Sequence, residues 1–163
     1  MPAIDAAAFR ELMGRFATGV TVITVAEDER YHGMTANAVT SVSLDPILLL
    51  VCVDKTTHTH GMVARSGRFA VNILAADQER VSRLFAQKME PEVRSLRGER
   101  FHLSASGSPV LSEALAYLDC RVASAYEGGD HTIFVGEVVD GATLRDAPPL
   151  IFYRGGYRSL ADV

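Results

Sequence analysis

Gly128 and Gly129 lead into Asp130-His131 and then into the run Thr132-Ile133-Phe134-Val135-Gly136-Glu137-Val138-Val139. A glycine turn thus delivers a carboxylate and an imidazole to the first position of a strand. Glycine reaches backbone angles that other residues avoid, so the chain can bend sharply there. Histidine is the side chain whose ordinary pKa lies nearest neutrality, and an adjacent carboxylate holds its ring in one tautomer or favours its charged form. The same pair also suits a plain hairpin with a surface histidine, because Asp and His commonly flank turns.

Three further polar segments lie beside the apolar run Ile47-Leu48-Leu49-Leu50-Val51-Cys52-Val53: Thr35-Ala36-Asn37, Ser41-Val42-Ser43 and Asp54-Lys55-Thr56-Thr57. Turns at strand ends expose backbone N–H groups that can bind a phosphate or the edge of a heterocycle. Lys55 adds a point charge beside two threonine hydroxyls. A purely structural account is available for both regions: a strand-to-helix turn with a threonine N-cap at 54–57, and a polar loop at 35–43.

Other chemistries are poorly served. The chain has no GxGxxG after a strand and no P-loop, so any nucleotide must be held another way. His58 and His60 sit two apart without a third ligand at metal spacing, and no metal is expected. No serine lies in a GxSxG elbow. Cys52 and Cys120 each fall inside an apolar run with no CxxC pair, which reads as two buried, reduced thiols.

These segments must be positioned by the elements between them. Phe9, Leu12, Met13 and Phe16 share one helical face after a possible Asp5 cap. Strands are predicted at 20–25, 31–36, 47–53, 69–74, 116–125, 131–139 and 150–153, and a short helix through Met62, Val63 and Ala64. The run 47–53 reads as buried on both faces at the centre of the sheet. Asp77 is expected to cap a helix carrying Val81, Leu84 and Phe85, and the charged stretch from Met89 to Gly107 is expected to be a mobile loop, its 89–100 part acting as a lid. Many strands, few helices and no βαβ alternation indicate a small β-barrel with helices packed around it.

The 163 residues fit one domain, 1–163. Apolar residues make up 48% and charged residues 22%, as in a soluble globular protein. A net charge of -4 without a Lys/Arg cluster argues against nucleic acid. No apolar run approaches the ~20 residues that span a bilayer, and the N-terminus lacks a secretory pattern, so the expected location is cytoplasmic, without a membrane.

The motifs occur in a specific order: Phe16-Ala17-Thr18-Gly19-Val20-Thr21-Val22-Ile23-Thr24, Gly33-Met34-Thr35-Ala36-Asn37-Ala38, Ser41-Val42-Ser43-Leu44-Asp45-Pro46, Phe69-Ala70-Val71-Asn72-Ile73-Leu74 and Leu84-Phe85-Ala86. Gly107-Ser108-Pro109-Val110-Leu111, Leu118-Asp119-Cys120, Gly129-Asp130-His131 and Pro149-Leu150-Ile151-Phe152-Tyr153-Arg154-Gly155-Gly156-Tyr157 follow. In this series, over nearly its whole length, the chain resembles the short-chain flavin reductases, the NAD(P)H-dependent reductase components of two-component flavin monooxygenases.

The resemblance implies a mainly β (α+β) fold, an FMN-binding split β-barrel with two to three peripheral helices, working as a homodimer. It implies FMN or FAD held by Thr35, Ala36, Asn37, Ser41, Val42 and Ser43 at the ring and ribityl chain. Cys52, Val53, Asp54, Lys55 and Thr56 would serve the phosphate side, with Phe85 and Ala86 completing the pocket. His131 would stand at the nicotinamide of NADH or NADPH, beside Tyr153, Arg154, Gly155 and Gly156. Ile47 departs from the second proline that many members carry after Pro46. The implied activity is hydride transfer to flavin N5, supplying reduced flavin to a separate oxygenase. A non-catalytic flavin carrier or sensor on the same barrel is the alternative, and an oxidase of the pyridoxamine-phosphate type shares only the fold.

Overall fold

The computed structural model describes residues 3–160. Asp5 accepts a hydrogen bond from the Ala8 N–H at 2.8 Å and opens α1 (Ala6–Met13). Strands β1 (Thr18–Gly19), β2 (Thr21–Glu27), β3 (Arg30–Ala36), β4 (Val39–Leu44) and β5 (Ile47–Asp54) follow, then α2 (His58–Ser66) and β6 (Arg68–Ile73). A 3-10 turn at Ala76–Gln78 runs into α3 (Glu79–Phe85). The remainder is β7 (Glu92–Val93), β8 (Phe101–Leu103), β9 (Pro109–Leu111), β10 (Ala116–Gly128), β11 (His131–Thr143), β12 (Ile151–Tyr153) and β13 (Gly156–Arg158).

Eight strands form one antiparallel sheet in the order β4-β5-β11-β10-β6-β2-β3-β7. β3 and β4 stand six places apart in that order, roughly 29 Å in a flat sheet at the usual strand spacing. Only Asn37 and Ala38 join them, and such a link spans at most about 11 Å. The sheet therefore curls until its ends meet, giving a barrel without a β3–β4 ladder. Ile23, Val25, Ala36, Leu49, Val51, Val53, Phe69, Val71, Cys120 and Phe134 fill it, with α2 contributing Met62 and Val63.

A second core lies outside the barrel wall. Val20, just before β2, and Val22 of β2 meet Leu74, Val81, Phe85, Leu96, Leu111, Ala114 and Leu150 there. β2 and β6 are thus strands buried on both faces, which corrects the placement of 47–53. β5 alternates between buried and half-exposed positions and lies second from the sheet edge, because its outward side chains Leu48, Leu50 and Cys52 have no covering layer within the chain. The segment 89–100 is likewise a packed strap rather than a mobile lid: Leu96 is buried in the second core, and β7 pairs with β3.

Asp77 does not cap α3. Its carboxylate pairs with Arg145, which holds it below the usual carboxylate range, while Gln78 Oε1 accepts from the Ala75 N–H at 2.9 Å. β4 is a strand where a polar loop was expected. An edge strand needs only one ladder partner, so its Ser and Thr residues do not alternate with apolar ones strongly enough to reveal it. Among the described residues no helix is long and apolar enough to cross a membrane.

Candidate functional site

Barrel closure brings the polar segments to one rim. The Cys52 N–H donates to the Ala38 carbonyl at 3.0 Å, so the β3–β4 connection with Asn37 lies against the last turn of β5. Asp54 pairs in register with His131 of β11, and the Lys55 N–H donates to the Asp130 carbonyl at 3.1 Å. The glycine turn and the 54–57 turn are therefore neighbours, although 76 positions separate Asp54 from Asp130 in the sequence.

The 54–57 turn is internally bonded. Asp54 Oδ1 accepts from the Thr56 N–H at 2.8 Å and from Thr56 Oγ1 at 2.7 Å. These bonds hold the Asp54 carboxyl below its usual range, with the charges of His131 and Lys88 adding to the effect. Thr57 caps α2, accepting from the His60 N–H at 3.2 Å. His60 shares a 2.8 Å hydrogen bond with Thr132 Oγ1, whereas His58 faces Glu90 at 3.2 Å, so the two histidines serve different partners.

His131 is half-buried and donates from Nδ1 to Asp130 Oδ1 at 2.7 Å. That bond, followed by the imidazole's charge, lowers the Asp130 carboxyl. Lys55 Nζ is paired with the Glu127 carboxylate, which is lowered in turn by the bond and charge of Lys55.

Ser41, Val42 and Ser43 lie on the outermost strand, where the β4–β5 register shifts between Ser41 and Ser43. An edge strand presents one row of unpaired N–H and C=O groups, and a bulge leaves its extra residue, here Val42, out of the ladder. This row runs away from the rim just described: Val39 pairs with Val51 near it, while Ser41 and Ser43 pair with Leu49 and Leu48 farther down β5. It has the alternating donors and acceptors that the edge of a heterocycle requires.

Several of the sequence-predicted residues can offer only backbone. Ala36 and Val53 point into the barrel core. Phe85 is 2% exposed, packed under Gly33 with the Arg97 guanidinium 5.2 Å from its ring, so the ring is a core element and not a ligand surface. Ala86, just after it, is exposed.

A second cluster was not visible in the sequence. Thr35 Oγ1 donates to the Ser82 carbonyl at 2.6 Å, and the Ser82 hydroxyl lies 2.7 Å from the Tyr157 hydroxyl. Arg83 stacks 4.9 Å over the Tyr157 ring. The only available signal was a serine three residues before Phe85, on the buried face of α3. Tyr157 belongs to the β12–β13 hairpin, whose turn residues Arg154 (φ 50°) and Gly155 (φ 73°) are both left-handed, as a two-residue hairpin demands. The Arg154 N–H donates to the Gly14 carbonyl at 2.8 Å. The hairpin thus joins Thr35 through Ser82, and among the described residues no hydrogen bond or ion pair links Tyr153–Gly156 to His131.

A cleft of about 440 Å³ runs along the exposed side of α3, lined by Glu79, Arg80, Arg83, Leu84 and Gln87. A smaller one of about 190 Å³ lies between α2 and the strap, lined by Glu27, Arg30, His58, Met62, Arg65, Glu90 and Pro91. Neither includes a residue of the rim. Convergent polar groups, rather than hollow volume, mark the site.

Residues 13–161 match the sequence profile described as "Flavin reductase like domain". The chain belongs to this family. Among its relatives, this flavin reductase family member is 41% identical over 163 residues to the "NADH-dependent flavin reductase" of Rhodococcus sp., covering 98% of this chain and 89% of the relative. It is 37% identical over 158 residues to "Flavin-dependent monooxygenase, reductase subunit HsaB" of Rhodococcus jostii, covering 97% of this chain and 80% of the relative. The solved structure of the Streptomyces globisporus NADH:FAD oxidoreductase SgcE6, in complex with NAD and FAD fragments, is 38% identical with a TM-score of 0.88, covering 99% of this chain and 98% of that one. In these flavin reductases the same barrel recurs over nearly the whole chain.

Proposed function

We propose that this chain, acting over residues 1–163 as one domain, is an NADH-dependent flavin reductase that delivers reduced flavin to a separate oxygenase. The observation that carries the reading is the convergence of the β3–β4 connection, the 54–57 turn and His131 on one barrel rim, with the unpaired β4 edge leading away from it, in a chain 41% identical to an NADH-dependent flavin reductase. The HsaB relative, a reductase subunit of a monooxygenase, supports the oxygenase partner. SgcE6, with NAD and FAD fragments, supports FAD as the flavin.

The donor set suits a flavin substrate. Ser41, Val42 and Ser43 offer backbone donors and acceptors to the ring edge, and the exposed Asn37 adds an amide. The 54–57 turn offers Lys55 and the positive end of α2 to a phosphate. Bound flavin supplies N5 as hydride acceptor, and NADH supplies the hydride. The protein's own work is to hold the two rings together and keep water out. The Nδ1–H of His131 bonds to Asp130, which turns Nε2 away from that carboxylate and leaves it to meet the nicotinamide carboxamide. Backbone N–H groups of the unpaired β4 edge near Ser43 would stabilise negative charge on a reduced ring bound against them.

A second copy of the chain completes the molecule in this reading. Ile4, Phe9, Leu12, Met13 and Phe16 are each more than half exposed, as are Leu44 and Ile47, with Val42 close to half, so both α1 and the β4–β5 edge offer apolar side chains to a partner. The cytoplasm is the compartment where NADH is made and where Cys52 and Cys120 stay reduced.

The test is to mix the purified protein with excess FAD or FMN and NADH and follow the nicotinamide absorbance band. Many turnovers per protein are expected. A single stoichiometric change would identify a carrier instead.

A further inference from the structure

The Lys55–Glu127 pair is built asymmetrically. The Lys55 side chain is 35% exposed and its backbone is fixed by the bond to Asp130, whereas the Glu127 side chain is 83% exposed. Glu127 is the penultimate residue of β10, opposite Thr132 and immediately before the glycine turn. Lysine is the less exposed partner, with its backbone held, and glutamate is the one free to swing away.

The charges around Lys55 sharpen this. The neighbouring carboxylates are Asp54, Asp130 and Glu127. Asp54 is occupied by Thr56 and Asp130 by His131. Only Glu127 spends its charge on Lys55, the cation of the 54–57 turn. Its carboxylate is an anion of the size and charge-assisted bonding habit of one phosphate edge.

We infer that Glu127 is an internal competitor for Lys55, a specificity-determining residue that weakens the site's hold on phosphate-bearing flavins relative to flavins without phosphate. The inference rests on the reading above that Lys55 serves the flavin phosphate. Lys55 cannot give its full charge to a phosphate ester until Glu127 lets go. Every phosphorylated flavin therefore binds less tightly by the strength of that pair, while riboflavin, with no phosphate, is indifferent to it. For an enzyme that must hand reduced flavin on, this carboxylate favours release by recapturing the ammonium as the phosphate departs.

The experiment is titration of FMN and of riboflavin, read by flavin fluorescence, into the full-length wild type, Glu127→Gln, Lys55→Met and the double variant. Exposed ion pairs are weak, so Glu127→Gln is expected to tighten FMN by about twofold to fivefold and leave riboflavin unchanged. Lys55→Met is expected to weaken FMN only, and adding Glu127→Gln to it should change nothing further. If Lys55→Met weakens FMN but Glu127→Gln leaves it unchanged or weakens it, the competitor role is wrong and the phosphate reading stands. If Glu127→Gln tightens FMN and riboflavin equally, the residue acts on the ring and the inference also fails. If Lys55→Met leaves FMN binding unaltered, the phosphate reading itself falls, and the inference with it. A parallel NADH KM separates the two phosphate sources: a Glu127→Gln effect on NADH with none on FMN would overturn the assignment to flavin.

Discussion

His131 Nδ1 donates to Asp130 Oδ1 across 2.7 Å, and this bond decides which ring nitrogen faces the rim. His131→Ala is expected to raise the NADH KM about threefold to tenfold, the scale of one lost hydrogen bond, with flavin affinity unchanged. Asp130→Asn should have a smaller effect, because the Asp130 side chain is almost fully exposed and steers the ring only weakly. Steady-state NADH oxidation at saturating flavin reads both, and an unchanged KM in His131→Ala removes the histidine from the nicotinamide site.

The Thr35–Ser82–Tyr157 chain ties the barrel, α3 and the C-terminal hairpin together. Ser82 is fully buried, so Tyr157→Phe leaves its hydroxyl without a partner and should cost about 1–3 kcal/mol in unfolding free energy. Tyr157→Phe combined with Ser82→Ala should cost clearly less than the sum of the two single changes, since no orphaned group remains. Denaturant titration of the three variants checks this, and strict additivity would show that the hydroxyls do not interact.

The barrel strands with strong apolar patterning were legible in the sequence. β2, β3, β5, β6, β10 and β11 all overlap the expected runs and extend one to four residues past them, because each lines a core with alternating or continuous apolar residues. What escaped was whatever depends on distant partners. β5 looked central because its outward Leu48, Leu50 and Cys52 are apolar, yet those residues are half-exposed on a strand second from the sheet edge. The Asp54–His131 rung and the Ser82–Tyr157 contact pair residues more than 70 positions apart, and no local pattern announces either. Phe85 was readable as a helix-face residue, but only the absence of a Cβ at Gly33 opens the slot that buries its ring.

Phe9 and Leu12 give the exposed face of α1 its apolar character. If a second copy covers it, Leu12→Asp should shift the protein to a monomer in sedimentation at micromolar concentration. The helix itself should persist, because none of its residues is buried within the chain. A monomeric wild type, or a dimer indifferent to this change, would place the partner surface elsewhere.

His32 gives the fold a pH dependence of definite sign. Its ring is buried, with Nδ1 2.7 Å from Thr59 Oγ1 and Nε2 2.8 Å from the Met89 carbonyl. Burial lowers its pKa from the ordinary 6.5, so the folded chain prefers the neutral ring. Above 6.5 this stabilisation is complete. As pH falls below 6.5 the unfolded chain takes up a proton that the folded chain refuses, and stability declines until the folded pKa is passed. His32→Gln should flatten this part of the curve of unfolding free energy against pH, and an identical slope in wild type and variant would exclude His32 as its source.

Gly33 is the tightest constraint linking the barrel to α3. A Cβ at this position would stand 2.9 Å from Phe85 Cδ1, 3.0 Å from Cε1 and 3.2 Å from Val22 Cγ1. The ring cannot retreat, since Phe85 is enclosed by the second core on one side and by Arg97 on the other. Gly33→Ala should therefore cost about 1–3 kcal/mol, the usual penalty of overpacking, measured by thermal or denaturant unfolding. With the ring held, relief would have to come from the end of α3 moving outward, which would loosen the bond from Thr35 to the Ser82 carbonyl. Flavin affinity should fall together with stability. Phe85→Leu in the Gly33→Ala background removes the clashing ring edge, so it should recover part of both losses even though Phe85→Leu alone is destabilising. If it recovers neither, the ring contact is not what holds Gly33 to glycine.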